Sequence, residues 1–123
     1  MFNYLYLKRI AEVEFPDIIE TAEIIGQRKL RIIIKDSSYI DIFYSPYPSN
    51  RHFAFHWERT FIDGTIYRHD NIPDVNWKNV PTFPKHFHDG DYTSIKKSNL
   101  SDNPSDALRE FLSFVRSKLV EPK

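Results

Sequence analysis

The sequence predicts an α+β fold: a curved antiparallel sheet of about five strands, a C-terminal helix packed on one face, and a long ordered loop segment. Three observations carry that expectation. Several short runs alternate apolar and polar residues, the period of a half-buried strand. Residues 104–119 repeat instead at helical spacing behind a capped start. Aromatic residues make up 15% of the chain and there are eight prolines, which favours strands and large buried rings over a helical bundle. A chain of 123 residues suits one domain, 1–123.

The first segment reads two ways. Leu5, Leu7, Ile10 and Val13 suit a short amphipathic helix as well as a strand. The straight-chain run Leu7-Lys8-Arg9 leans to the helix, and Pro16 ends it. Residues 18–25 are rich in β-branched side chains and read as a strand, closed by a turn at Gly26-Gln27. Residues 30–35 alternate, with Leu30, Ile32 and Ile34 on one face and Arg31, Ile33 and Lys35 on the other. Asp36-Ser37-Ser38 is turn chemistry, and residues 39–44 return as the next strand. Prolines at 46 and 48 make residues 45–50 a loop.

Residues 53–61 form a strong strand, with Phe53, Phe55 and Trp57 alternating. Asp63-Gly64 is a tight hairpin signal, with residues 66–70 as the partner strand. A two-residue turn would set Arg59 opposite Arg68, Trp57 opposite Asp70, His56 opposite Asn71 and Glu58 opposite His69, with Phe61 and Ile66 together on one face. A longer turn would exchange these partners. Residues 72–103 read as long and irregular. They carry Trp77, Phe83, Phe87 and Tyr92, so they are expected to be ordered and functional. The closing helix has Asn103 as cap, Pro104 at its first position and Asp106 in its first turn. Leu108, Phe111, Leu112, Val115 and Leu119 form its apolar stripe, read as core packing, with a partner-binding groove as the alternative.

Composition removes several function classes. Lys+Arg and Asp+Glu both number 17, so the formal charge is zero and a strongly basic nucleic-acid coat is excluded, though a local basic patch is not. With no cysteine there is no disulfide framework, thiolate zinc site or cysteine nucleophile. The three glycines stand singly, which excludes a Gly-rich phosphate loop. No long apolar run and no signal peptide is evident, so the expectation is a cytoplasmic protein without membrane contact.

The chemistry is concentrated in one segment. All five histidines, His52, His56, His69, His86 and His88, fall between residues 52 and 88, with both tryptophans, Arg59, Arg68, Asp70 and Asn71. Charges on an aromatic strand face are costly unless paired, so an Arg59–Asp70 or Arg68–Asp70 pair is one reading. A concave site where Arg68 and Asp70 meet a substrate is the other. His86-x-His88 has a spacing found in metal sites, with His56, His69, Asp70, Asp89 or Asp91 available as a third ligand. That pair alone is weak, and the expectation is no metal and no cofactor.

His, Arg, Lys and Tyr without a cysteine nucleophile or a carboxylate cluster suit metal-independent RNA cleavage. Such cleavage needs a base for the 2′-OH, an acid for the leaving 5′-oxygen and a cation for the phosphate. His86 or His88 could be base or acid, and Arg68 or Lys85 the cation. Arg68, Asp70, His86 and His88 are the candidate catalytic residues; His56, His69, Asn71, Trp77 and Lys85 are candidates for binding substrate. Trp77, Phe83 and Tyr92 could stack bases or simply close the core.

Three strings carry a family resemblance: His56-Trp57-Glu58-Arg59; Asp63-Gly64 with Ile66-Tyr67-Arg68-His69-Asp70-Asn71; and Thr82-Phe83-Pro84-Lys85-His86-Phe87-His88. With the closing Arg109–Arg116 run, they resemble the TumE-like family of prokaryotic toxins over nearly the whole chain. The family pattern has Pro-His after the Arg-x-Asp-Asn string, where this chain has Pro73-Asp74. The resemblance implies a toxin of a toxin–antitoxin pair that acts on RNA or translation, with a small DNA-binding antitoxin as partner. RNA and a second copy of the chain are further candidate partners. A non-catalytic interaction module and a small metal-dependent hydrolase are the rival readings.

Overall fold

The computed structural model describes residues 2–46 and 52–121. Its elements run α1 (Tyr4–Glu14), β1 (Ile19–Ile25), β2 (Lys29–Ile34), β3 (Tyr39–Tyr44), β4 (Phe53–Arg59), α2 (Thr60–Asp63), β5 (Thr65–Asp70), a 3-10 turn (Val75–Trp77), β6 (His86–Gly90), β7 (Ile95–Lys97) and α3 (Pro104–Leu119). The strands form one antiparallel meander in chain order. The α+β class and the C-terminal helix are as the sequence predicts. The sheet has seven strands, not about five.

The two additional strands, β6 and β7, come from residues 72–103, expected to be irregular throughout. Their signal was hidden. In His86-Phe87-His88 the buried positions are the histidines, so the usual apolar-in, polar-out alternation is inverted.

The ambiguous first segment is a helix. Asn3 caps it, its side chain accepting from Leu5 N at 3.0 Å, and Tyr4, Leu7, Ile10 and Ala11 are buried at helical spacing. Leu5 and Val13, which the sequence placed on that stripe, are exposed. The α1 stripe and that of α3 (Ala107, Leu108, Phe111, Leu112 and Val115) share one core with the alternate residues of β2, β3 and β4. Leu30, Ile32, Ile40, Ile42, Phe55 and Trp57 there are fully buried. Trp57 also donates its indole N–H to Ser38 Oγ at 2.8 Å, which satisfies the one polar atom of the largest core side chain. Much of the predicted loop 45–50 lies outside the described residues.

The Asp63-Gly64 turn requires correction. β4 stops at Arg59, and Thr60–Asp63 wind into one helical turn that Gly64 closes at φ 80°. A non-glycine residue is disfavoured at that angle. Asp63 accepts from Thr65 N, and Arg59 Nε reaches Asp63 at 3.2 Å, which stabilises the longer connection. Pairing therefore sets Trp57 opposite Tyr67, His56 opposite Arg68 and Ala54 opposite Asp70. Phe61 leaves the sheet and is exposed, far from the expected partnership with Ile66. The expected partners of His56, Trp57, Glu58 and Arg59 are all replaced. Because the shift is by an odd number of residues, the side chains of β5 exchange faces relative to those of β4.

Candidate active site on the polar face of the sheet

The exchange of faces creates the site. Phe55, Trp57, Tyr67 and Phe87 look toward the helices, while His56, Glu58, Arg68, Asp70, His86 and His88 share the face away from them. One cross-strand row runs Glu23, Arg31, Asp41, His56, Arg68, His88 from β1 to β6. Arg31 grips Asp41 through two bonds of 2.8 Å, which leaves that end of the row internally paired.

At the other end, two adjacent cross-strand pairs, Arg68 with His88 and Asp70 with His86, form the corners of a compact cluster. The spacing explains why. Arg68-x-Asp70 and His86-x-His88 each put two side chains on one face of a strand, and the register brings the two faces into coincidence. Arg68 Nε donates to Asp70 Oδ2 at 2.8 Å. His86 Nε2 lies 3.3 Å from Asp70 Oδ1, and His88 Nε2 lies 3.7 Å from Oδ2. Ile72 N donates to Oδ1 at 3.0 Å as β5 ends before Pro73. His86, His88 and Asp70 are 3%, 6% and 5% exposed, so these are buried strand residues and not the solvated loop imidazoles their sequence context suggests.

The outward nitrogens are fixed as well. His86 Nδ1 donates to Pro84 O at 2.9 Å, and His88 Nδ1 donates to Tyr92 O at 3.1 Å. A carbonyl can only accept, so both Nδ1 atoms carry the proton and both Nε2 atoms face the carboxylate. Asp91 holds the Tyr92 turn by accepting from Thr93 N and Ser94 N. These carbonyls had no signal in the sequence. Burial alone would raise the Asp70 carboxyl, but His88, Arg68 and His86 around it outweigh that and hold it down at about 2.

A cleft of about 330 Å³ opens over the cluster, with Asp70, His86, His88, Trp77 and Tyr92 among its walls. The 3-10 turn, capped by Asp74 accepting from Asn76 N, carries Trp77 to 6.5 Å from His86 and 6.4 Å from His88, ring to ring. Tyr92 stacks toward His56 at 6.3 Å. His56 sits at the edge of the cluster, 3.4 Å from Arg68 Nη1 and 3.1 Å from Glu58. Burial lowers its pKa, and Arg68 adds to the effect against the pull of Glu58.

The remaining sequence candidates fall elsewhere. His69 faces the helix layer, stacked on Phe87 at 4.3 Å and bonded to Ser98 Oγ at 2.7 Å. Lys85 donates to Leu100 O and reaches Asp102, away from the cleft, so it is not placed as the phosphate cation. Asn71 accepts from Phe53 N and ties the end of β5 to the start of β4. Arg59 pairs with Asp36 at 2.6 Å and with Asp63, not with Asp70. Phe83 is exposed, with no part in the lining of the cleft.

The half-buried His69 should make stability depend on pH. Burial, with repulsion from Lys85, pushes its imidazole down to about 4. An unfolded histidine titrates near 6.5, so between these values the unfolded chain binds a proton that the folded chain does not. Stability should be full above about pH 6.5 and should fall by on the order of 3 kcal/mol as the pH drops toward 4. His69→Phe keeps the ring stack and should flatten this slope. Urea melts at several pH values compare the two proteins, and equal slopes would overturn the assignment.

A meander sheet with two helices on one face and a His–Asp–Arg cluster on the other defines a small α+β protein. Residues 6–119 match the family model described as Toxin TumE, so the chain belongs to the TumE toxin family. Membership makes it a toxin of a toxin–antitoxin system, with an antitoxin as its partner. No curated protein and no solved structure matches the chain. Among the described residues, no helix is long and apolar enough to cross a membrane.

Proposed function

We propose that this toxin is a ribonuclease that cleaves cellular RNA in the cytoplasm at the Arg68–Asp70–His86–His88 cluster, without needing a metal. The observation that carries the reading is the pair of buried imidazoles, both turned by backbone carbonyls to present Nε2 beside one ionised carboxylate at the floor of an open cleft. A neutral imidazole takes the proton of the 2′-OH, whose oxygen attacks phosphorus. The second, protonated imidazole gives its proton to the leaving 5′-oxygen. The products are a 2′,3′-cyclic phosphate and a 5′-hydroxyl. Asp70 holds the two rings in place beside the reacting phosphate, and Arg68 neutralises charge on it. Trp77 and Tyr92 supply ring faces for bases, and His56, beside Arg68 at the edge of the cluster, is the candidate contact for the next phosphate or ribose. The antitoxin is read as a small DNA-binding protein.

Induced expression should arrest growth and fragment RNA, and the purified toxin should leave 2′,3′-cyclic phosphate ends. An oligonucleotide with 2′-deoxyribose at the cut position should resist. The rival reading, a non-catalytic interaction module, draws support from the zero formal charge. Arrested cells with intact RNA would favour it and remove the ribonuclease.

A further inference from the structure

We propose that Asp70, His86 and His88 form a binding site for one divalent transition-metal ion of the zinc class. The three donor atoms lie within 4.8 Å of one another, and all three residues are buried. Zinc bonds to nitrogen and oxygen donors are about 2.1 Å long, so a tetrahedral site holds its donors roughly 3.4 Å apart. His86 Nε2 lies 3.3 Å from Asp70 Oδ1 and His88 Nε2 lies 3.7 Å from Oδ2, each near that value, so the ion would sit between the two imidazoles and the two oxygens of one carboxylate.

The surroundings match the chemistry of such a site. A metal-binding imidazole usually donates its other N–H to a carbonyl or carboxylate, and both histidines do so, to Pro84 O and Tyr92 O. Outer partners also orient the carboxylate, with Ile72 N on one oxygen and Arg68 on the other. The donors stand on two neighbouring strands, β5 and β6, each flanked on its other side by a further strand, so little reorganisation is required. Two imidazoles and one carboxylate favour Zn²⁺ or Co²⁺ over Mg²⁺ or Ca²⁺, which take oxygen ligands. The positions left open face the cleft, where water or a phosphate oxygen could complete the shell. Arg68 offsets the carboxylate charge and makes the affinity lower than an uncompensated site would have. His86-x-His88 alone is a weak metal signal, and it is the fold that supplies Asp70 as the third ligand.

This inference goes beyond the ribonuclease reading and does not depend on it. A bound ion takes the two Nε2 lone pairs, so the acid–base cleavage proposed above belongs to the metal-free form and the loaded form cannot carry it out. The test is titration of the chelator-stripped full chain with zinc chloride by calorimetry and with cobalt chloride by visible absorption, both without RNA. About one ion per chain should bind, and cobalt should develop the intense ligand-field bands of a low-symmetry site. Because loss of an outer partner already costs ~10–100-fold, His88→Gln and Asp70→Asn should each weaken binding by more than ~100-fold. His52→Gln, outside the cluster, should leave binding unchanged. Circular dichroism checks that each variant is folded, and the near-isosteric Asp70→Asn serves if His88→Gln is not. No binding by the wild-type chain, or binding that survives both substitutions in folded protein, overturns the site. A failed titration leaves the ribonuclease reading standing, and a failed RNA assay leaves the metal site standing.

Discussion

His88→Gln should slow RNA cleavage by roughly 10²–10⁴-fold, the usual contribution of one proton-transfer group, and His86→Gln should do the same. Gln is the informative substitution. The two imidazoles are 3% and 6% exposed within β6, so Ala would open a cavity beside Asp70 and confuse lost stability with lost chemistry. Sequence reasoning places them in a long irregular segment; the structure buries them in β6, a strand paired on both sides. The Gln side chain can keep a bond to the carbonyl of Pro84 or Tyr92 but cannot exchange a proton near neutral pH. Thermal melts beside the cleavage assay separate the two effects. Relief of growth arrest by a variant that still melts near the wild-type temperature supports proton transfer. Full toxicity of both folded Gln variants would rule out the two histidines as acid and base.

Asp70→Ala should cost about 3–5 kcal/mol of stability, the range for removing one partner of a buried charge cluster. Against a total of about 5–15 kcal/mol, this can unfold much of the protein. The carboxylate is the hub: Arg68, His86, His88 and Ile72 N all turn to it, and all would lose this shared contact at once. Arg68→Ala should cost less, about 1–3 kcal/mol, because Asp70 keeps the two imidazoles and the Ile72 N–H. Urea melts in the presence of chelator read both values without metal linkage. An Asp70→Ala protein within about 1 kcal/mol of wild type would mean that the carboxylate does not organise the cluster.

The legibility of this site differs residue by residue. Arg68-x-Asp70 and His86-x-His88 stand out because each places two chemically active side chains on one face of any extended strand. Trp77 stands out as a large ring in a proline-rich segment. His69 has the same composition signal as its neighbours, but strand alternation turns it to the helix layer, where Phe87 covers it. Lys85 differs again, because a flexible side chain takes whichever carbonyl lies within reach, here that of Leu100. The Pro84 and Tyr92 carbonyls that set the tautomers are main-chain groups, carried by every residue and therefore marked by none.

By itself the sequence determined the α+β class, the helix from Pro104, the three strands between residues 19 and 44, and the family resemblance. Each of these rests on local periodicity, capping chemistry or a string of neighbours. Only the tertiary structure decided the register of β4 against β5. A four-residue helical turn and a two-residue hairpin use the same Asp63-Gly64, and a difference of a few residues in the connection changes which side chains of one strand face those of the other. The membership of β6 in the sheet was also tertiary. Burying two histidines is unfavourable for an isolated strand and becomes favourable only when Asp70, on a strand sixteen residues earlier, stands opposite to pair with them.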